Sequence, residues 1–342
     1  MLFDGYGQRP RITEVPAPAC PPDGALLQVR ATGLCRSDWH GWMGHDPDVT
    51  LPHVPGHEFA GVIAELGTEV TGGFRLGDRV TAPFVNACGR CARCLEGDHQ
   101  VCERQAQPGV TFWGSFAEYV VVRHADVNLV PVPDGIDFAT AAGLGCRFGT
   151  AYRAVLDVGR VSEGAWVAVH GCGGLGRSAV LIAAAHGARV IAVDTEASAL
   201  RAARQLGATA VVDGATEDVP TAIRDLTGGG AEVSLDALGH TVTFTNSLAC
   251  LRRRGRHVQV GLLLAAHADQ RVPMGPVLSG ELEILGSHGM AAHAYPRMLA
   301  EISAGTLRPD QLIGQQLTLE EGIDALTAMS RSSPEGITIL RP

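Results

Sequence analysis

Four cysteines in a C-x₂-C-x₂-C-x₇-C run, Cys88, Cys91, Cys94 and Cys102, constrain the fold of this chain more than any other feature. Thiolates this closely spaced can close a tetrahedral shell around one Zn²⁺ with no open position, the mark of a structural site. Disulfides compete for the same residues. They fit poorly, because neighbours three apart on a tight loop rarely reach disulfide geometry and the rest of the chain reads as cytosolic. The surrounding lobe, about residues 84–113, is rich in Gly, Arg and Cys and poor in apolar periodicity. Bound metal would therefore supply its fold, on the order of 10–16 kcal/mol in comparable zinc-finger peptides.

A four-cysteine zinc site suits nucleic-acid-binding modules as well as enzymes, and the charge balance argues against the first. Acidic residues exceed basic ones by nine, 36 against 27, so there is no general basic surface to track phosphates. The basic run Arg252, Arg253, Arg254 and Arg256 reads as the solvated end of a helix, where cations suit the negative dipole terminus. At 342 residues the chain exceeds the usual size of one domain, so two are expected. No stretch approaches a membrane-spanning length of about 20 apolar residues, and residues 1–5 lack the layout of a signal peptide. The expectation is a soluble cytoplasmic protein with neither a membrane nor a nucleic-acid partner. Of nine cysteines, Cys20, Cys172 and Cys250 read as reduced thiols and the other six as metal ligands.

Residues 1–140 read as short strands, at 25–31, 60–65, 79–83 and 116–122. Turn signals such as Gly72-Gly73, Leu76-Gly77-Asp78 and Pro133-Asp134-Gly135 separate them, the pattern of an all-β, barrel-like domain. Beyond Gly149 apolar runs alternate with helical patterns, which indicates βαβ units and a parallel sheet. Strands are predicted at 166–170, 189–193, 210–212, 232–236, 257–260 and 282–285, and helices at 175–185, 197–206, 221–226 and 243–252. The tail, 287–342, reads as helix plus strand able to return to the first domain.

The first of those parallel strands runs directly into Gly171-Cys172-Gly173-Gly174-Leu175-Gly176 and then into an apolar helix. A dinucleotide fingerprint needs Gly171 for the tight turn, Gly173 for close pyrophosphate approach and Gly176 for helix–strand contact. Asp194 stands at the end of the next strand, 18 residues beyond Gly176. A carboxylate there can accept hydrogen bonds from ribose hydroxyls and repels a 2′-phosphate, so NAD is favoured over NADP, with Arg201 the only nearby cation that could upset this.

Cys35, His57 and Cys146 remain as potential ligands. Singly each has a bland reading, because free Cys is often a small core residue and Gly56-His57-Glu58 can be a turn. Together, two Cys and one His with a fourth open position form the catalytic zinc arrangement of alcohol dehydrogenases. With Gly33-Leu34-Cys35-Arg36-Ser37-Asp38-Trp39-His40, Pro55-Gly56-His57-Glu58, the four-cysteine lobe, Gly145-Cys146-Arg147-Phe148-Gly149-Thr150 and the glycine loop in order, the chain resembles the zinc-dependent medium-chain alcohol dehydrogenase family over essentially its whole length.

That resemblance implies an α/β protein with a GroES-like β-barrel catalytic domain (1–148), a Rossmann NAD-binding domain with a doubly wound parallel sheet (149–286) and a C-terminal segment returning to the first (287–342). It implies two Zn²⁺ per chain: a catalytic one on Cys35, His57 and Cys146, and a structural one on Cys88, Cys91, Cys94 and Cys102. Glu58 would stand beside the catalytic metal, and Asp38 would hold the other ring nitrogen of His57. Ser37 and His40 match a proton relay, Arg36 a pyrophosphate contact, Thr150 a contact near the nicotinamide, and Gly174 and Leu175 complete the cofactor loop. The implied reaction is reversible hydride transfer between NAD and a primary or secondary alcohol, or its aldehyde or ketone. Cys146 disfavours the polyol and amino-alcohol dehydrogenases of the superfamily, and the full set of ligands disfavours a non-catalytic NAD-binding protein. By motif position Phe84 is expected to line the substrate pocket with help from Trp39, Trp42 and Trp113, although each aromatic taken singly reads more readily as generic core; together they suggest an apolar substrate, and His288 reads as a surface substitution. A homo-oligomer is implied, a tetramer favoured over a dimer.

Overall fold

In the computed structural model, which describes residues 1–264, 267–331 and 335–342, the chain divides into two units. The first comprises Met1–Gly149, Gly289–Gly305 and Pro309–Pro342. Its spine is β1 (Ala25–Leu34), where all but Gln28 and Arg30 are buried. Such a strand can be covered on both faces only if it is central to its sheet. It pairs antiparallel with β2 (Glu58–Leu66), β4 (Tyr119–Val122) and β13 (Ile337–Arg341). Beyond β2 lie β3 (Arg79–Thr81) and β5 (Val130–Pro131), and beyond β13 lies β12 (Ile313–Thr318), its parallel neighbour. The expected barrel is thus drawn, among the described residues, as an open seven-stranded mixed sheet. One face carries Leu27, Val29, Phe59, Ile63, Val80 and Val120; a second cluster gathers Phe3, Leu34, Trp42, Phe116, Leu326 and Leu340. Trp42 is therefore core, not pocket lining.

The second unit, Thr150–His288 with Thr306–Arg308, is built on six parallel strands. These are β6 (Trp166–His170), β7 (Arg189–Asp194), β8 (Ala210–Asp213), β9 (Ala231–Asp236), β10 (Leu251–Gln259) and β11 (Glu283–Gly286). Their order, β11-β10-β9-β6-β7-β8, reverses at β6, the doubly wound pattern whose carboxyl edge binds nucleotides. Ala168, Ile191, Val193, Val212 and Ile223 fill its core.

The arginine run does not end a helix: the helix Thr241–Ala249 stops first, and Arg252, Arg253, Arg254 and Arg256 lie in β10. Arg254 adopts φ 59°, a local bend that shifts the register between Leu251 and Arg256. Helical periodicity and a bent, half-exposed strand look alike over so few residues. The charges are met across the sheet edge, Arg256 by Glu283 at 3.2 Å and Arg252 by Glu232 at 3.6 Å.

Candidate metal centre and cofactor loop

β1 delivers Leu34 to the core and ends at Cys35, which caps the helix Arg36–Trp42. Asp38, in the first turn of that helix, is 2% exposed and does three jobs. Its carboxylate accepts the Cys35 backbone N–H at 2.8 Å, the Gly56 N–H at 3.0 Å and the Nδ1–H of His57 at 2.9 Å. One carboxylate thus fixes both the helix start carrying Cys35 and the ring of His57. Glu58 opens β2 directly beyond. Cys146 sits in a π-helical turn, Leu144–Phe148, an irregularity frequent at functional sites. The buried Tyr295 hydroxyl lies 3.3 Å from the Leu144 and Gly145 carbonyls of that turn and can satisfy them.

Ligand atoms of Cys35, His57, Glu58 and Cys146 come to lie within 4.8 Å of one another. Among the described residues the buried His57 Nε2 has no hydrogen-bond partner, although Nδ1 is held by Asp38. A buried ring nitrogen without a partner costs about 1–3 kcal/mol, so its presence between two thiols calls for a ligand. Two Cys and one His fit Zn²⁺ by donor softness and number. Among these side chains the protons are shared unequally, and a metal would have to displace those on Cys146 and His57. The hydrogen bond with Cys146 holds the Cys35 thiol well below its usual range against the effect of burial, with Arg147 and His57 assisting. That same bond, with burial, pushes Cys146 up. Burial depresses His57, but Asp38 and Cys35 outweigh it and the ring sits well above its usual value. Burial raises Glu58, partly offset by Arg147.

Near this centre, Ser37 Oγ is 3.8 Å from Cys35 Sγ. His40 is half-buried, its Nδ1 3.0 Å from Nδ1 of exposed His45. Burial, then His45 and Arg36, lower its pKa. Arg36 donates to the Met329 carbonyl and lies over the Trp39 ring. Phe84 packs edge-on to His57, ring centroids 6.3 Å apart. Trp113 instead lines a cleft of about 300 Å³ with Pro16, Pro18, Phe112 and Tyr119, its indole N–H on the Pro52 carbonyl. Two contributors escaped the sequence reading, His45 and Arg147. For Arg147 the one signal was a lone charge inside the otherwise uncharged run 141–152.

The second cluster, Cys88, Cys91, Cys94 and Cys102, also falls within 4.8 Å, with all four residues buried. Its sulfurs are separate thiols, Cys91 to Cys94 at 3.5 Å and Cys91 to Cys102 at 3.8 Å. Backbone N–H groups of Cys88 and Arg104 point at Cys102 Sγ, 3.3 and 3.4 Å away, as donors to a thiolate would. The lobe's apolar core is Ala87 and these cysteines, with Val127 against them.

In the second unit the glycine loop follows β6. Gly171 has φ 89°, and a Cβ on Gly176 would stand 1.7 Å from the Gly171 carbonyl, so no larger residue fits there. A Cβ on Gly173 would meet nothing, leaving open space before the N-terminus of the helix Gly174–Ala185, where backbone N–H groups favour an anion. Asp194 accepts the Cys172 N–H at 2.6 Å and the Glu196 N–H at 2.9 Å, which fixes it beside the loop. These residues fit a dinucleotide. Thr150 Oγ1 is buried without a partner among the described residues. His288 is half-buried.

A four-donor cluster of two Cys, one His and one carboxylate on a mixed β unit, with a glycine-loop parallel sheet in the same chain, defines a zinc-binding dehydrogenase. Residues 21–134 match the alcohol dehydrogenase GroES-like domain and residues 174–304 the zinc-binding dehydrogenase domain. An alcohol dehydrogenase of Geobacillus stearothermophilus is 37% identical over 279 residues, 81% of this chain and 80% of that one. A sorbitol dehydrogenase of Halalkalibacterium halodurans is 30% identical over 96% of this chain and 94% of its own. Among solved structures, an NAD-dependent alcohol dehydrogenase superposes with a TM-score of 0.88 at 30% identity, covering 100% of this chain and 98% of that one. The chain belongs to the zinc-dependent medium-chain alcohol dehydrogenase family.

Proposed function

We propose that the chain is an NAD-dependent alcohol dehydrogenase with its catalytic Zn²⁺ on Cys35, His57 and Cys146 and a second, structural Zn²⁺ on Cys88, Cys91, Cys94 and Cys102. The observation that carries this is the unpartnered Nε2 of His57, facing two thiols with its other nitrogen held by Asp38. Bound zinc supplies Lewis acidity toward an alcohol hydroxyl, and bound NAD the hydride acceptor.

Asp38 holds Nδ1 of His57, so Nε2 is the ring nitrogen left to face a ligand, which would displace its proton on binding. Ser37 takes the alcohol proton and His40 receives it in turn; the lowered pKa of His40 keeps it neutral, and so able to accept, at physiological pH. Phe84 walls the reacting group with an apolar ring. Gly171, Gly173, Gly174, Leu175 and Gly176 cradle the pyrophosphate, and Asp194 accepts the ribose hydroxyls and disfavours NADP. Thr150, with its idle hydroxyl, serves the nicotinamide end. The substrate is a primary or secondary alcohol, or the matching aldehyde or ketone, and the working form is a cytoplasmic homo-oligomer.

The match to a sorbitol dehydrogenase keeps a polyol substrate as the second reading. Following NADH absorbance across primary, secondary, aromatic and polyhydric alcohols, with NADP⁺ in parallel, separates the two. Turnover of simple alcohols with NAD⁺, lost with a zinc chelator, is expected. Turnover confined to sorbitol would favour the second reading, and silence across the panel in zinc-loaded protein would contradict both.

A further inference from the structure

The metal centre contains one donor too many. Catalysis at zinc needs three protein ligands and an open position, whereas four protein ligands make a closed, structural site. Here a Glu58 oxygen lies in the same 4.8 Å cluster as the two thiols and the imidazole. Something must keep that carboxylate from completing the shell.

We infer that Arg147 is the positioning residue that does so, and that it thereby sets whether the fourth coordination position is open; the inference rests on the reading of Cys35, His57 and Cys146 as catalytic zinc ligands. Arg147 engages both oxygens of Glu58. Its Nε lies 2.9 Å from Oε1 and 3.1 Å from Oε2, its Nη2 donates to Oε2, and its backbone N–H donates to Oε1 at 3.0 Å. A forked, charge-assisted pair of this kind fixes orientation as well as position. Both side chains are withdrawn from water, Glu58 at 0% exposure and Arg147 at 9%.

The site is shaped for the pair. The carboxylate rests on the bare backbone of Gly33, where a Cβ would stand 2.3 Å from Oε2 and 3.0 Å from the guanidinium. Because Arg147 follows Cys146 in the same π-helical turn, ligand and restraint are carried by one element.

A buried carboxylate that loses its partner cation is strongly destabilised and must find another. With Arg147 gone, the cation within reach of Glu58 is the metal itself. The same variant that opens the ion pair should therefore close the metal site, which separates this role from simple structural support.

Protein carrying cobalt at the catalytic site reports its ligands through visible absorption bands, and imidazole probes the open position. The native chain should bind imidazole with a spectral shift. In Arg147→Gln that affinity should fall about 10- to 100-fold, the usual range for residues supporting metal ligands. Adding Glu58→Gln in the same chain should restore it, because the competing donor is gone. Arg147→Lys keeps a cation but not the fork, and should lie between. Unchanged imidazole affinity in Arg147→Gln would overturn the inference, as would a weakened affinity that Glu58→Gln leaves uncorrected. If Arg147→Gln does not fold, Arg147→Lys with and without Glu58→Gln decides by the same two criteria. Failure of the native chain to take up metal through Cys35, His57 and Cys146 would overturn the proposed function as well, and metal content shows which has failed.

Discussion

Two four-donor clusters in one unit reach the same compactness by opposite routes. Cys88, Cys91, Cys94 and Cys102 come from fifteen consecutive residues, while Cys35, His57, Glu58 and Cys146 are gathered across 112. The first has almost no apolar core of its own, so a bound metal would be what holds the segment. The second is built by elements that are already packed: the end of β1, the start of β2 and a π-helical turn. There the protein already holds the four side chains, and a metal on them would be free to serve chemistry. The support differs accordingly, backbone N–H groups around the lobe, but Asp38 and Arg147 side chains around the dispersed centre.

The largest effect expected from breaking this contrast is at the dispersed centre. Cys35→Ser or His57→Ala should remove turnover to the limit of detection and one zinc per chain, with the melting temperature little changed. Unfolding of either variant would show that metal is as structural there as in the lobe. Next, Cys91→Ser or Cys94→Ser should lower the melting temperature and open the lobe to proteolysis, and unaltered melting would remove the structural zinc from the account. Asp38→Asn should then cost about 10- to 100-fold in kcat/KM, because the amide misplaces the His57 proton. Full activity in this variant would deny the tautomer argument.

The smallest effect concerns His40. The charges near it are His45 and Arg36, which lower its pKa, and Cys35 and Asp46, which raise it; burial is the largest influence and the net shift is downward. Lowering favours the neutral ring, so proton acceptance should persist below the ordinary histidine midpoint and fail only on further acidification. His40→Gln should slow alcohol oxidation roughly 10-fold, below the usual general-base contribution because water can bypass a half-exposed relay. Loss of the acid inflection in the rate profile is the accompanying sign, and an identical profile would take His40 out of the relay.

The same contrast explains what could be read from sequence. The clustering of the lobe was legible because its four cysteines carry their own spacing, and the glycine loop because its strand, turn and helix are contiguous. Cys35, His57 and Cys146 carry no mutual spacing, and it was the family resemblance that grouped them. Arg147 was invisible as a partner of Glu58, since the two are 89 residues apart and meet only through the packing of β2 against a π-helical turn. Trp42 and Trp113 could not be placed from sequence, because an aromatic residue does not announce whether it faces a core, a cleft or a substrate. The arginine run deceived for a simpler reason: bent strands and frayed helices share a local pattern.

The most direct test of the central contrast is a time course of zinc release to a chelator, with NADH formation and thermal melting read on the same samples. One zinc per chain should leave first and take all turnover with it, while melting should change only when the second is lost. Turnover that survives removal of the first zinc, or activity and melting lost together, would contradict the contrast.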